Sequence, residues 1–337
     1  MCAVIVVNYH DDLNEVQGGA ALADLLGAPL ASAPFDRLAW WHGLATHCEL
    51  SPLLAVASDG DHHAVLALQR GTAEWSALAN WYTFRWRPLV TPGADTAALM
   101  TALARDLAKY ADRITLAPLS DEHGETVSLD AAFRTAGWST FREACDVNHV
   151  LQVHGRSYAE YLAARPGPVR TTLKRKANKV VVTIETVFNP ESWAEYEAIY
   201  AESWKPGEGS PAFLRAFAEA EGGAGRLRLG LAHVNGTAVA AQLWTVEHGT
   251  AFIHKLAHTE AAKTLSPGTT LTAALFEHVI DRDRVELVDF GTGDDGYKRD
   301  WMEQQRPRFR LDCYRAAVPK NWAALARQCL RRIRARG

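Results

Sequence analysis

The sequence predicts an α/β protein of the α+β kind, built from two similar halves in tandem. Three observations carry that expectation. At 337 residues the chain exceeds what one hydrophobic core usually organises. Its composition, 48% hydrophobic and 22% charged, is that of a globular protein able to bury such cores. One order of elements, antiparallel strands followed by a helix and a further strand, recurs along the chain, although no residue-by-residue repeat accompanies it.

In the first half, Ala3 to Val7 is a short apolar run of strand type. It lacks the basic and long apolar regions of a secretory signal. Strand patterns follow at Leu53 to Ala57, at His63 to Leu68 and over the aromatic stretch Glu74 to Val90. Turn signals at Asp59-Gly60 and Gly71 separate them, as in an antiparallel meander. Thr96 to Tyr110 carries apolar residues at helical spacing (Leu99, Met100, Leu103, Leu107) and precedes a buried-type strand at Ile114 to Leu116. A helix around Ser128 to Thr135 then leads into Trp138 to Val153.

The same order returns downstream. Arg226 to His233 and Ala238 to Val246 read as a hairpin across Asn235-Gly236. Thr250 to His258 is a third strand, Thr269 to Ile280 a helix and Val285 to Phe290 an apolar strand. Between the halves lie a helical piece (Tyr158, Tyr161, Leu162), the breaker Arg165-Pro166-Gly167-Pro168 and the basic run Arg170, Lys174, Arg175, Lys176, Lys179. These signals place the domains at 1–155 and 156–318, with a basic amphipathic helix at 319–337.

Charge and cysteine usage exclude several classes. A formal net charge of −3 gives no global reason to expect nucleic acid. Cys2, Cys48, Cys145, Cys313 and Cys329 are odd in number and without C-x-x-C spacing, which argues against a disulfide framework and a zinc site and for a reducing cytoplasm. No run reaches ~18 apolar residues, so any membrane contact is peripheral, on the inner membrane.

The chemistry is expected in Thr250 to Trp301. The loop S-P-G-T-T-L, Ser266 to Leu271, opens a helix. Gly268 permits close backbone approach, and the free amides of a first helical turn favour an anionic group. The alternative is an ordinary turn capped by Ser266 with Pro267 at the first helical position. Next, V-E-L-V-D-F-G-T-G-D-D-G-Y-K-R-D-W puts Asp289 at a strand end and Asp294, Asp295, Tyr297 and Lys298 in or beside a glycine loop, where open α/β folds place their sites. The register does not match a calcium loop, and no metal is expected.

With the helix P-V-R-T-T-L-K-R-K, the Y-x-x-S-W of Tyr200 to Trp204 and G-R-L-R-L-G-L, these motifs resemble the CelD/BioF-like acetyltransferase branch of the GNAT superfamily, related to the FemABX peptidyltransferases. The resemblance covers roughly Ser157 to Tyr314. It implies tandem GNAT-like domains, each a mixed central sheet splayed to admit an acyl thioester, with chemistry in the second. Ser266, Gly268, Thr269 and Thr270 would hold the pantetheine diphosphate of an acyl-CoA co-substrate, although the usual Q/R-x-x-G-x-G/A motif is absent.

Acyl transfer to an amine needs a base, a polarised carbonyl and a proton for the thiolate. Backbone amides from Lys255 and Leu256 to His258 would polarise the carbonyl. His254 is the first candidate base, on a face shared with Phe252 and Leu256, with Lys255 opposite. Asp289 is the rival base and Tyr297 the candidate acid, while Lys298 would bind phosphate or acceptor. Each has a purely structural alternative.

The basic run would meet the 3′-phosphate of coenzyme A, a tRNA backbone or an acidic lipid surface, or stay solvated. In the tail, Trp322, Leu325, Cys329, Leu330 and Ile333 recur at helical spacing among Arg327, Arg331, Arg332, Arg334 and Arg336, as in an interfacial helix or one docked on its own domain. Membrane contact would make a long-chain acyl-CoA and a sphingoid-base amine attractive substrates, as in the bacterial ceramide synthases of this branch. The alternatives are tRNA-dependent aminoacyl transfer and a non-catalytic protein that binds acyl thioesters or polysaccharide precursors. Trp75, Trp81, Tyr82, Phe84 and Trp86 would either line an acceptor cleft or form a cross-strand aromatic core.

Overall fold

The computed structural model describes residues 5–16, 19–27 and 29–334. Cys2, Ala3, Val4 and Arg336 lie outside them, as do the side chains of Arg332, Ile333 and Arg334. The chain separates into two compact units, residues 1–146 with 307–337, and residues 147–306. The sequence expectation differs in two places, since the units divide after Asp146 and the final strand and tail belong to the first unit.

The first unit begins with β1 (Val6–His10), α1 (Gly19–Leu26), α2 (Leu38–His47), β2 (Pro52–Asp59), β3 (His62–Gln69), β4 (Glu74–Ala77) and β5 (Leu89–Val90). It continues through α3 (Thr96–Leu107), β6 (Arg113–Leu119), α4 (Glu125–Thr135) and the start of β7 (Ser139–Gln152). Its sheet runs β1-β2-β3-β4-β6, with β5 beside β3. α3 starts where the Asp95 side chain accepts from the Ala98 amide, and it buries Leu99, Met100, Leu103 and Leu107 against the sheet.

The aromatic stretch departs from its expected strand. β4 ends at Ala77 and only Leu89 and Val90 return to strand. Between them the chain leaves the sheet, and Trp86 comes back as a single parallel bridge to Leu119. Its amide donates to the Pro118 carbonyl and its indole to the Ala67 carbonyl at 2.8 Å. Trp75 and Trp86 therefore belong to the core, whereas Trp81 is 65% exposed.

The second unit takes the end of β7 and adds α5 (Tyr158–Ala163), α6 (Gly167–Lys176), β8 (Val181–Glu185), α7 (Pro190–Ala201) and α8 (Pro211–Gly223). β9 (Leu227–Val234), β10 (Thr237–Glu247), β11 (Thr250–His258), α9 (Pro267–Glu277), β12 (Leu287–Thr292) and α10 (Gly296–Trp301) follow. The strand order is β7-β12-β11-β10-β9-β8. The β9–β10 hairpin turns through Asn235 and Gly236, both at positive φ, as a two-residue turn of that composition requires. Gly230 lets α9 lie close on β9, because a Cβ there would come within 2.9 Å of Leu271 and Leu275. The core of this unit gathers Trp244, Leu271, Leu275, Phe276 and Trp301 between sheet and helices.

The chain then returns to the first unit. β13 (Gln304–Tyr314) pairs antiparallel with β6, placing Leu311 and Cys313 in the first core, and α11 (Trp322–Arg334) closes the chain. The ladder bonds to β6 and the two buried side chains explain why the first unit, rather than the second, owns this end.

Candidate active site

In the second unit β11 and β12 run parallel for three residue pairs, Thr250 with Leu287, Ala251 with Val288 and Phe252 with Asp289. Beyond that, β11 stays bonded to β10 as far as His258, and β12 returns to β7 at Thr292. The strands part, and among the described residues the β11 edge after Phe252 pairs with no strand on the β12 side. Backbone amides on such an edge are available to a ligand carbonyl.

The parting coincides with a bulge. Leu243 faces Lys255 and Trp244 faces Ile253, so His254 is the extra residue. A bulge interrupts period-two alternation, which corrects the expectation that His254 and Lys255 point to opposite faces. Both reach the α7–α8 side. The His254 ring meets Phe217 edge-on at 5.0 Å, and its Nε2 lies 2.8 Å from Thr245 Oγ1. Lys255 Nζ lies 3.0 Å from Glu208 and 5.5 Å from the Tyr200 ring centre.

α7 and α8 wall a pocket of about 490 Å³ beside this bulge, lined by Trp193, Tyr196, Tyr200, Lys205, Glu208 and Leu214 among others. Asn189 and Ser210 cap the two helices by accepting backbone amides, each ahead of a proline. The aromatic residues of α7 then recur at helical spacing. The polar groups converge on Glu208. Burial, then its charge and hydrogen bond, push the Tyr200 phenol up to about 12. Burial lowers the Lys255 ammonium against the pull of Glu208. Lys205 is lowered by burial and by the like charge of Lys255, with Asp295 and Glu208 opposing.

At the other end of β11, α9 begins. Ser266 is in the left-handed region at φ 52° and does not cap the helix with its side chain. Instead its Oγ accepts from Lys176 Nζ at 3.0 Å, bringing the end of basic α6 to the helix start. Thr272 Oγ1 donates to the Gly268 carbonyl at 2.8 Å and accepts from buried Gln242, whose own oxygen accepts from the Trp244 indole. This chain ties the first turn to β10. A Cβ on Gly268 would meet nothing nearer than His258 Cδ2 at 3.6 Å, and the buried Thr270 Oγ1 has no hydrogen-bond partner. Thr269 is half-buried, as is Leu256 on β11. An open glycine, an orphaned hydroxyl, a lysine and a helix N-terminus are a donor set suited to a diphosphate.

The glycine loop after β12 is organised from below. Asp289, 4% exposed, accepts from Asn148 Nδ2 at 3.1 Å and from the Gly291 amide at 2.8 Å. Lys298, also 4% exposed, donates to the Thr292 carbonyl. Tyr297 is 40% exposed against Phe290, and burial with the nearby Asp295 charge raises its phenol. Asp294 turns elsewhere, to His149 at 3.0 Å, Gln305 and Arg299. Among the described residues no group of three or more His, Cys, Asp or Glu is placed to hold a metal. Sequence reading singled out neither Glu208 nor Lys205, and it took Tyr200 and Trp204 only as part of a motif. Trp204 lies on the His258 ring, centres 4.3 Å apart.

Residues 158–299 match the family model of an acetyltransferase (GNAT) domain. No curated protein matches the chain by sequence. Among solved structures it is similar to FemX, with a TM-score of 0.60 and 11% identity over 86% of this chain and 94% of that one. It is similar to the C-terminal domain of a lysylphosphatidylglycerol synthetase from Agrobacterium fabrum, with a TM-score of 0.53 and 14% identity over 78% of this chain and 84% of the other. A tandem GNAT protein from the clavulanic acid biosynthesis pathway gives 0.53 and 14% over 91% and 98%. At such identities the likeness is one of fold.

Proposed function

Taking the chain as a member of the GNAT superfamily through residues 158–299, we propose that it is an N-acyltransferase moving an acyl group from a coenzyme A thioester to an amine. The observation that carries this reading is the parting of β11 from β12 between the α9 N-terminus and the Glu208 pocket. A thioester laid along the β11 edge that parts from β12 would have its diphosphate at Ser266, Gly268, Thr269 and Thr270 and its carbonyl at the amides of Lys255 and Leu256. The pocket suits an amphiphilic amine, since aromatic faces and a carboxylate both attract an ammonium group.

In this mechanism Glu208 takes one proton from the bound ammonium, and the freed nitrogen lone pair then bonds to the carbonyl carbon. As the C–S bond breaks, Tyr297, kept protonated by its raised pKa, gives its proton to the thiolate, and the second proton lost by the nitrogen passes through water to restore the Tyr297 phenol. Lys298 ties α10, which carries Tyr297, to the glycine loop through the Thr292 carbonyl. His254, held by Thr245, shapes the bulge, and Asp289 braces β12. A long-chain acyl group with a sphingoid-base acceptor is the substrate pair that best uses an aromatic pocket bordered by Glu197 and Glu208.

The test is thiol release from acetyl- and palmitoyl-CoA with and without a sphingoid base. Amine-dependent release, reduced at least ~100-fold in Glu208→Gln, supports the proposal. No release with either thioester, together with binding of charged tRNA, would replace it with aminoacyl transfer, for which the exposed Arg170, Lys174 and Arg175 of α6 supply a cationic face. Thioester binding without turnover would leave a binding protein.

A further inference from the structure

α11 is amphipathic, with its apolar face turned to solvent. Its 13 residues place Trp322, Ala326, Cys329 and Leu330 one and two turns apart. All four are exposed, Trp322 to 60% and Leu330 to 56%. Ala324, Leu325 and Gln328, on the other side, are half-buried. The apolar residues of a helix docked only on its own domain would face inward; among the described side chains Trp322, Cys329 and Leu330 face out, while Leu325 is half-buried. The Trp322 indole donates to the Ala316 carbonyl at 2.9 Å, which fixes its orientation at the surface.

Charge supplies the second observation. Residues 319–337 contain six lysines and arginines and no acid, in a chain of formal net charge −3, so the rest carries −9 by the same count. Arg327 and Arg331 are exposed along the flank of the apolar face. They also border a crevice of about 290 Å³, where Arg113 and Arg310 join them against Asp312 and Glu143. Four guanidinium groups against two carboxylates make that crevice attractive to a phosphate headgroup.

From these placements we infer that α11 is a docking helix for an anionic phospholipid surface. Trp322 and Leu330 enter the boundary between headgroups and acyl chains, and Arg327 and Arg331 engage lipid phosphates. An RNA phosphate backbone would satisfy the arginines but leave the apolar face in water. A second copy of this chain would bring two arginine-rich flanks together. The lipid surface is the one occupant that satisfies both faces of the helix at once.

The experiment is co-sedimentation of the full chain with vesicles of equal parts phosphatidylglycerol and phosphatidylcholine, and with phosphatidylcholine alone. The chain is expected to partition onto the anionic vesicles at least ~10-fold more strongly, with the preference reduced by added salt. Trp322→Ser with Leu330→Ser, and separately Arg327→Gln with Arg331→Gln, are each expected to weaken partition ~10-fold or more. All four side chains are exposed, so the thermal transition is expected to hold, and a melting curve checks this. No partition onto anionic vesicles, or partition that the apolar pair leaves unchanged, overturns the inference. So does a dimer or a tRNA complex that depends on Trp322 and Leu330 while vesicle binding is absent. The readout is binding rather than turnover, so it stands or falls separately from the acyl-transfer proposal.

Discussion

Asp289 hydrogen-bonds with the Asn148 amide and the Gly291 N–H while 4% exposed. Glu208 instead borders an open pocket beside two lysines and a tyrosine. Asp289→Ala is therefore expected to cost about 2–3 kcal/mol of unfolding free energy, since hydrogen bonds to a charged group are lost and the Asn148 amide is stranded. A urea titration measures this, and an unchanged midpoint would return Asp289 to the list of candidate bases. In the first unit, burial would raise the Asp312 carboxyl, but hydrogen bonds from Arg310, Thr115 and Arg113 outweigh it and hold it below its usual value. Its folded pKa is depressed, so its stabilisation is present above pH ~3.9 and lost as pH falls through the lower folded value. Thermal melting below pH ~4 is expected to fall less steeply in Asp312→Asn than in the parent chain. Asp289 and Tyr297 were legible as candidates because a glycine loop after an apolar strand marks a strand end. Glu208 was not, since nothing local distinguishes it from the other acids of residues 191–221, and only the fold brings it to Lys255.

α9 illustrates how much of an element can be read in advance. Its proline at the first turn and its glycine were visible as S-P-G-T-T-L, and the helix begins at Pro267. The hairpin at Asn235-Gly236 was equally plain, because few residues tolerate its backbone. The alternative of a Ser266 side-chain cap is not found; Ser266 is left-handed and its hydroxyl accepts from Lys176, ninety residues earlier. The aromatic stretch misled for a related reason, since β-propensity reflects packing against neighbours and Trp86 packs from a loop. The bulge at His254 has no local signature. Two substitutions test the cradle. A methyl on Gly268 would meet only ordinary contact at 3.6 Å, and alanine favours helix over glycine by up to ~1 kcal/mol. Gly268→Ala is thus expected to keep or raise the melting temperature while raising KM for the thioester, because the added Cβ would stand where the proposed diphosphate approaches. Lys176→Gln removes one cation from the helix start, worth about 1 kcal/mol or roughly 5-fold in KM. Unchanged KM in both would place the donor elsewhere.

The halves share an order of elements but differ at the position that matters. In the second unit β11 and β12 part after three pairs, whereas in the first the β6 edge beyond its pairs with β4 is met again by Trp86 at Leu119. One gap is open to a ligand and its counterpart is filled by the chain itself, which supports assigning chemistry to the second unit alone. The connectivity also has a mechanical consequence. β7 runs from the first unit into the second, and the chain returns at Pro307 to pair β13 with β6. A tandem reading puts residues 156–318 in a separate domain, yet Leu311 and Cys313, both 0% exposed, sit in the first core. Ending the chain at Arg306 would strip β6 of a ladder partner and open a cavity where these side chains lay, and a single large-to-small core substitution of this kind already costs about 2–5 kcal/mol. Against a typical total of about 5–15 kcal/mol, such a truncation is expected to unfold the first unit. A chain ended at Val318 keeps β13 and loses only α11 and the short turn before it. Limited proteolysis separates the cases. The 306 truncation should be cleaved throughout residues 1–146, while the 318 truncation should resist there as the full chain does. Equal resistance of both would show that β13 is not required by the first unit.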